Sequence, residues 1–365
     1  MKRKISEIIF REDLYPRFKP DQATIQRYAN AIEFLPPILI NQNSILIDGF
    51  HRLKAHQLAG YDEIGIEILK TASEKELRKL AYQYNCKHGL QLSADEKERF
   101  AQEMINLMTV EELAAILSVN HKTIERWTKN ERESIEKERN RQILELYLRA
   151  ENTQEKIAEI INVPRETIRD IIKRFGENGQ MSEIAKTFKP LLYNIWNTPK
   201  QDNVVNHFGA FPQIFLENLL YYHTEPFDIV FDPFAGGGTM VDVCIMMLRR
   251  YYCSDMSVAV GRERDIKEWN ILKGIPNDLP KPDFVFLDPP YWKQAEGKYS
   301  QSKDDLANMN LEKFYNTLGE FLSELIKWKV KKISFVIQPT QYANDMIFED
   351  HILKTHEILS KKYRI

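Results

Sequence analysis

One stretch, Phe227 to Trp292, constrains the fold of this 365-residue chain more than any other. Phe227-Asp228-Ile229-Val230-Phe231 is a short apolar run after Pro226 and reads as a strand. It leads into Asp232-Pro233-Phe234-Ala235-Gly236-Gly237-Gly238-Thr239. A helical pattern follows from Met240 to Leu248, and a second strand, Tyr251-Tyr252-Cys253-Ser254, ends at Asp255. Further on, Phe284-Val285-Phe286-Leu287 runs into Asp288-Pro289-Pro290-Tyr291-Trp292. Strand, glycine turn, helix, and a strand closed by an acid is how an open parallel sheet grips a nucleoside-bearing cofactor. Glycines at 236 and 238 let the backbone approach such a ligand, and the helix start favours a carboxylate on it. Asp255 can accept hydrogen bonds from both ribose hydroxyls; the alternative is a surface carboxylate at a strand end.

The residues at this spacing resemble the amino-methylating DNA methyltransferases, which use S-adenosylmethionine. Asp-Pro-Pro-Tyr after a buried strand carries most of the likeness. The resemblance implies a Rossmann-like α/β domain over residues 185–365. It assigns the cofactor to Asp232, Pro233, Phe234, Gly236, Gly238, Thr239 and Asp255. A His-x-x-x-Phe-Pro segment lies before the glycine strand in that family and helps cover the methionine end of the cofactor; His207, Phe211 and Pro212 match it. Asp288, Pro289, Pro290 and Tyr291 are then the catalytic residues. An exocyclic base amine is a poor nucleophile because its lone pair is delocalised into the ring. Asp288 and the Pro289 carbonyl can each accept one amine hydrogen, the two prolines fix the turn, and Tyr291 offers a stacking face to a flipped base. In the family reading, Asp rather than Ser at the first position favours adenine over cytosine.

If DNA is the partner, charge must be local, because net charge is −2. Lys2-Arg3-Lys4 and the segment Arg165 to Arg174 supply it. Three cysteines show no metal or disulfide spacing, so a reduced, cytoplasmic protein without a metal is expected. No apolar run is long enough to span a membrane, and the N-terminus lacks the apolar core of a signal peptide.

In residues 1–90, Asp21 is placed to cap a helix, and Ile38-Leu39-Ile40 with Ile45-Leu46-Ile47 reads as a hairpin. Asp48-Gly49-Phe50-His51-Arg52 then opens a helix, and Ile64 to Leu69 reads as another strand. This order resembles the ParB/sulfiredoxin-like fold, an α+β domain. The likeness implies a phosphate or nucleotide at Gly49, His51 and Arg52, or an adaptor whose pocket has lost that role. Sulfiredoxin activity is not expected, since Phe50 stands where that enzyme has its cysteine.

Residues 91–180 contain a repeat. Thr109 to Thr128 and Thr153 to Ile172 align at a constant offset of 44, pairing Ala114 with Ala158, Val119 with Val163 and Ile124 with Ile168. Each unit has helix-turn-helix grammar, and the second helices would offer Lys122 and Arg126, and Arg165 and Arg169, to double-stranded DNA. The alternative is a helical bundle that touches no DNA.

Two departures from the methyltransferase pattern stand out. No target-recognition insert follows Tyr291, only the polar stretch Trp292 to Asp305, expected as a mobile loop over the site; the repeats are the natural substitute for an insert. The family sheet closes with a C-terminal hairpin, whereas this chain ends at Tyr363-Arg364-Ile365. The Ile333 to Ile337 strand is therefore expected at an edge, covered by a helix from Asn344 to Lys361 or, second, by a homodimer partner. Poor methylation by this chain alone is expected on that ground. The reading is an adenine-specific DNA methyltransferase. The rivals are a cytosine-N4 enzyme and a DNA-binding, partition-type regulator with an inactive methylase half.

Overall fold

The computed structural model describes the chain apart from residues 16, 18, 88–91, 178–187, 193–195, 197–210, 294, 342–347 and 361–365, and only the backbone of 86, 87, 177 and 341. His207 and the C-terminal residues Tyr363 to Ile365 therefore lie outside the described residues. The chain divides into two compact units, Met1–Glu138 and Arg139–Ile365.

The first unit opens with β1 (Lys2–Lys4), α1 (Gln22–Ala29), β2 (Ile38–Ile40), β3 (Leu46–Asp48), α2 (Phe50–Leu58), β4 (Glu63–Ile68) and α3 (Glu74–Lys87). Its sheet order is β1-β4-β2-β3; β2 and β4 run parallel and the other pairs antiparallel. Asp21 caps α1 by accepting from the Ala23 N–H. Asn41 shapes the β2–β3 turn, its Oδ1 accepting from the Asn43 and Ile45 N–H groups. Gly49 at the head of α2 has φ +104°, and a Cβ there would lie 2.6 Å from Ile38 Cγ2, so no other residue fits.

Next come α4 (Ala94–Met104), α5 (Val110–Leu117), α6 (His121–Trp127), α7 (Lys129–Leu148), α8 (Gln154–Ile161) and α9 (Arg165–Glu177). The repeat is reproduced in its caps and turns. Thr109 and Thr153 cap α5 and α8, and Ser118 and Asn162 turn the chain at φ 52° and 57°. The Val119 N–H donates to the Ala114 carbonyl, as the Val163 N–H does to Ala158, each at 3.1 Å. Ile124 and Ile168 are fully buried. Packing nevertheless assigns the two copies to different units. The first packs on α3, where Tyr82 stacks on Phe100 at 3.9 Å. The second belongs to the unit that holds the large sheet, and the division falls within α7.

That unit continues with α10 (Gln213–His223), β5 (Ile229–Asp232), α11 (Thr239–Met246), β6 (Arg250–Asp255), β7 (Ile266–Glu268), β8 (Phe284–Leu287), α12 (Leu311–Lys327), β9 (Lys332–Phe335), β10 (Thr340–Gln341), β11 (Phe348–Glu349) and α13 (His351–Ser360). Five strands in the order β7-β6-β5-β8-β9 are all parallel. Alternation along each strand feeds two cores. Val230, Tyr251 and Cys253 join α10 and α11 on one face, while Phe231 and Tyr252 join α12 on the other. Chain order reverses between β5 and β8, which opens a crevice at their C-terminal ends.

The second repeat is fastened to the opposite ends of the strands. Arg250, which begins β6, donates to the carbonyls of Tyr147, Ala150 and Asn152 at 2.8–3.0 Å and lies 4.4 Å over the Tyr147 ring. Arg149 pairs with Asp265 at 3.2 Å, and the Ala150 N–H bonds the Tyr251 carbonyl. β6, six residues long, runs from Arg250 in this seam to Asp255, about 17 Å of strand. Among the described residues β9 pairs with β8 alone. Ile358 and Leu359 of α13 pack on the same core as Ile333 and Phe335 of β9.

Candidate active site

The glycine turn is built by hydrogen bonds that reach across two strands. The Ala235 N–H donates to the Ser254 carbonyl, and the Gly236 N–H to Asp255 Oδ2 at 2.8 Å. Asp255 Oδ1 accepts from the Ser257 N–H at 3.0 Å, so this carboxylate ties the end of β6 to the loop after β5. Gly236 and Gly238 have φ 50° and 88°; Gly238 sits at the head of α11, where a Cβ would lie 3.0 Å from Arg262 Nε. Arg262 is held there by a two-bonded pair with Asp242 at 2.5 and 2.8 Å.

Asp232 ends β5 almost fully buried, with Oδ1 accepting from the Phe234 N–H at 2.9 Å. Burial pushes its carboxyl well above the ordinary carboxylate range, and Asp288 and Asp255 add to that. Asp288 follows β8 on the neighbouring strand. Burial raises its pKa to about 6, against which the Tyr291 hydroxyl, donating to Asp288 Oδ1 at 3.3 Å, acts weakly. Burial and the facing Asp288 also push the Tyr291 hydroxyl upward.

These groups share one cavity of about 240 Å³. Phe211, Asp232, Pro233, Phe234, Gly236, Thr239, Asp255, Asp288 and Pro290 line it, so the strands bring together most of the residues expected from sequence. Phe211 also meets Phe286 edge to face at 5.6 Å. Pro212, Gly238, Pro289 and Tyr291 adjoin the cavity in sequence without lining it. Met256, Ser257, Val258 and Ala259 line it too, as do Trp269 and Asn270, which sequence reasoning missed. For the first four the signal was available: residues that follow a strand-end acid continue along the same ligand. Lys298, Tyr299, Asp304 and Asp305 come from the polar stretch expected as a mobile cover. That stretch is stitched to itself. Asn308 Nδ2 donates to the Ser300 and Ser302 carbonyls, Asp305 accepts from the Ser300 hydroxyl, and the buried Trp292 donates its Nε1–H to the Met309 carbonyl at 2.8 Å. No hydrophobic period marks such a loop.

The N-terminal trio is arranged differently. Gly49, His51 and Arg52 do meet at the start of α2, but Arg52 donates to Asp48 at 2.7 Å and to the Pro36 and Pro37 carbonyls. His51 Nε2 accepts the Asp21 N–H at 3.1 Å, and burial pushes the ring below its usual value. Both side chains are thus engaged within the chain. Lys122, Arg126, Arg165 and Arg169 are exposed on α6 and α9. Arg165 pairs with Glu155 at 2.7 Å and Arg169 with Asp170 at 3.3 Å.

Comparison with known proteins adds one assignment. The family model described as DNA methylase, N6_N4_Mtase, matches residues 81–260, a span that ends before Asp288. None of the curated proteins matches the chain. The chain is similar over 35% of its length to the C-terminally truncated chromosome-partitioning protein ParB from Caulobacter crescentus complexed to the centromeric parS site. Identity is 16%, 70% of that chain is covered, and the TM-score is 0.29. It is similar over 52% of its length to a Pnob8-like ParB-N domain, at 15% identity, with 85% of that chain covered and a TM-score of 0.29. Superpositions this loose carry no argument about the first unit. The parallel sheet and its glycine turn agree with the family match: residues 81–260 match the N6/N4 DNA methylases, a family that acts on DNA and uses S-adenosylmethionine.

Proposed function

We propose that the chain transfers a methyl group to the exocyclic amine of adenine in double-stranded DNA. The observation that carries this reading is the meeting of Asp288 and Pro290 with the glycine turn and Asp255 in one cavity. The cofactor fits its donor set. Beside the buried Asp232, four carboxylates (Asp255, Asp288, Asp304 and Asp305) and one ammonium, Lys298, line the space, which suits a ligand bearing a sulfonium and an ammonium. Asp255 and the turn from Gly236 to Thr239 would hold it, with Phe211 beside it and Pro212 heading α10. When bound, it supplies an electrophilic methyl group.

The chain's own residues do the aligning. Above a pH of about 6 Asp288 is ionised and accepts one amine hydrogen, and the Pro289 carbonyl accepts the other. Tyr291 gives up its 3.3 Å bond to Asp288 and stacks on the base. Catalysis is then positioning for an in-line transfer, with no covalent enzyme intermediate. Recognition falls to α6 and α9: exposed ion pairs such as Arg165–Glu155 contribute little and exchange readily for phosphate contacts.

The test is direct. Duplex DNA is incubated with protein and S-adenosylmethionine, digested to nucleosides and analysed by mass spectrometry. N6-methyladenine is expected. N4-methylcytosine would move the assignment to the other base, and unmodified DNA bound tightly by the protein would favour the regulator.

A further inference from the structure

Behind the catalytic motif lies a buried relay that the reaction as described leaves unused. The Tyr315 hydroxyl on α12 donates to Glu349 Oε1 at 2.8 Å and lies 2.7 Å from His351 Nδ1. His351 Nε2 lies 2.9 Å from Thr340 Oγ1, which in turn reaches the carbonyl of Trp292 at 3.3 Å. Thr340 and His351 are each 2% exposed. The His351 ring meets the Trp292 ring edge to face at 5.8 Å, and Phe314 closes another side at 5.7 Å. Trp292 directly follows Tyr291.

We propose that Thr340 and His351 are positioning residues for the segment Asp288 to Tyr291, gripping it through the Trp292 carbonyl. The proposal rests on the methyl-transfer reading above only for its kinetic consequence. Counting hydrogens shows how the grip works. Four contacts join Glu349, Tyr315, His351, Thr340 and Trp292. Two hydroxyls and a neutral imidazole bring one hydrogen each, one too few. Tyr315 gives its hydrogen to Glu349, so Nδ1 must carry the ring proton and Nε2 must accept from Thr340. The Trp292 carbonyl, at the longest distance, is then without the Thr340 hydrogen. A charged imidazolium donates from both nitrogens, and Thr340 can then donate to Trp292. Three titratable groups face the ring: Glu349 before α13 and Asp350 beside it favour the charge, and Tyr315 on α12 bonds it. Burial outweighs them and pushes His351 below its usual 6.5. The grip is therefore strengthened by acidification and slackened as pH rises.

The full-length protein can be labelled with carbonyl-13C tryptophan and 15N lysine. Only Trp292–Lys293 and Trp328–Lys329 then give a linked carbonyl–amide signal, and Trp328→Phe assigns them. The Trp292 carbonyl resonance is expected to move downfield on acidification, with a midpoint below 6.5, and to stay flat in Thr340→Val. In parallel, Thr340→Val should lower kcat about three- to tenfold on the acid side of the activity profile, near pH 6, at unchanged S-adenosylmethionine affinity; the difference should shrink as pH rises, and Thr340→Ser should restore the parent value. A carbonyl that titrates equally in parent and Thr340→Val overturns the proposal, as does equal loss of kcat and cofactor affinity. A parent chain that transfers no methyl group yet keeps the Thr340-dependent titration sinks the activity assigned above and upholds the grip.

Discussion

At the scale of single residues, Asp288 is held in a state that costs stability and that the proposed reaction would use. A folded pKa of about 6 against an ordinary 3.8 corresponds to about 3 kcal/mol. The folded protein binds more protons than the unfolded chain between these values, so this group lowers stability as pH rises through that window. Asp288→Asn is therefore expected to raise the melting temperature of the free protein at pH 8, to have little effect on it at pH 4, and to abolish methylation at pH 8. Scanning calorimetry at the two pH values checks the sign, and a variant less stable at pH 8 would contradict the burial argument. Activity of the parent should fall on the acid side with a midpoint near 6, since protonated Asp288 no longer accepts as a carboxylate. Asp255 has a second task beside the one expected from sequence. It accepts the Gly236 and Ser257 N–H groups, so Asp255→Ala should loosen the turn as well as remove contacts to a ribose. A loss of cofactor affinity larger than the roughly 1.5–3 kcal/mol of one charge-assisted bond is expected by titration calorimetry; unchanged affinity would make Asp255 a bystander.

At the scale of elements, the two helix-turn-helix copies share a hydrogen-bond pattern but not a neighbour. The first is continuous with the core around Tyr82, Phe100 and Met104; the second is bolted to the start of β6 by Arg250. Arg250→Ala removes three charge-assisted bonds and a ring contact while leaving the strand in place. It should lower the melting temperature and make the segment from Glu151 to Glu177 the first site of proteolytic cutting. Unaltered proteolysis would show that the apolar packing around Phe227 suffices. Double substitution of Arg165 and Arg169 by Ala should weaken DNA binding with a shallower dependence on salt, by about two phosphate contacts. Equal salt slopes in parent and variant would argue that α9 faces no phosphate.

At the scale of the whole molecule, the division at Glu138 and Arg139 decides where the chain can be cut. Leu144 and Leu148 belong to the core on one face of the sheet, and Ala150 to the core on the other. A fragment of residues 139–365 should fold cooperatively and bind S-adenosylmethionine. One of residues 181–365, cut where the repeat-bearing region 91–180 ends, should not, because it exposes those cores and orphans the Arg250 guanidinium. Parallel thermal melts of both fragments test this, and equal behaviour would refute it.

What the amino-acid order determined by itself is the part written in local patterns. The run from Val230 to Phe231, the glycines at 236 and 238, the acid at 255 and the motif from Asp288 to Tyr291 act through strand propensity, positive φ and fixed turns, each legible within a few residues. The repeat was legible for the same reason, since Ser118 and Asn162 turn the chain where local spacing requires. Tertiary structure decided whatever depends on residues far apart in the chain. It split the repeats between two units, engaged Arg52 with Asp48 and the Pro36 and Pro37 carbonyls, and folded the polar stretch after Trp292 into a cavity wall. It also joined Thr340 and His351 to Trp292. Hydrogen-bond partners and burial are properties of space, and a polar loop or a lone histidine carries no period from which either can be read.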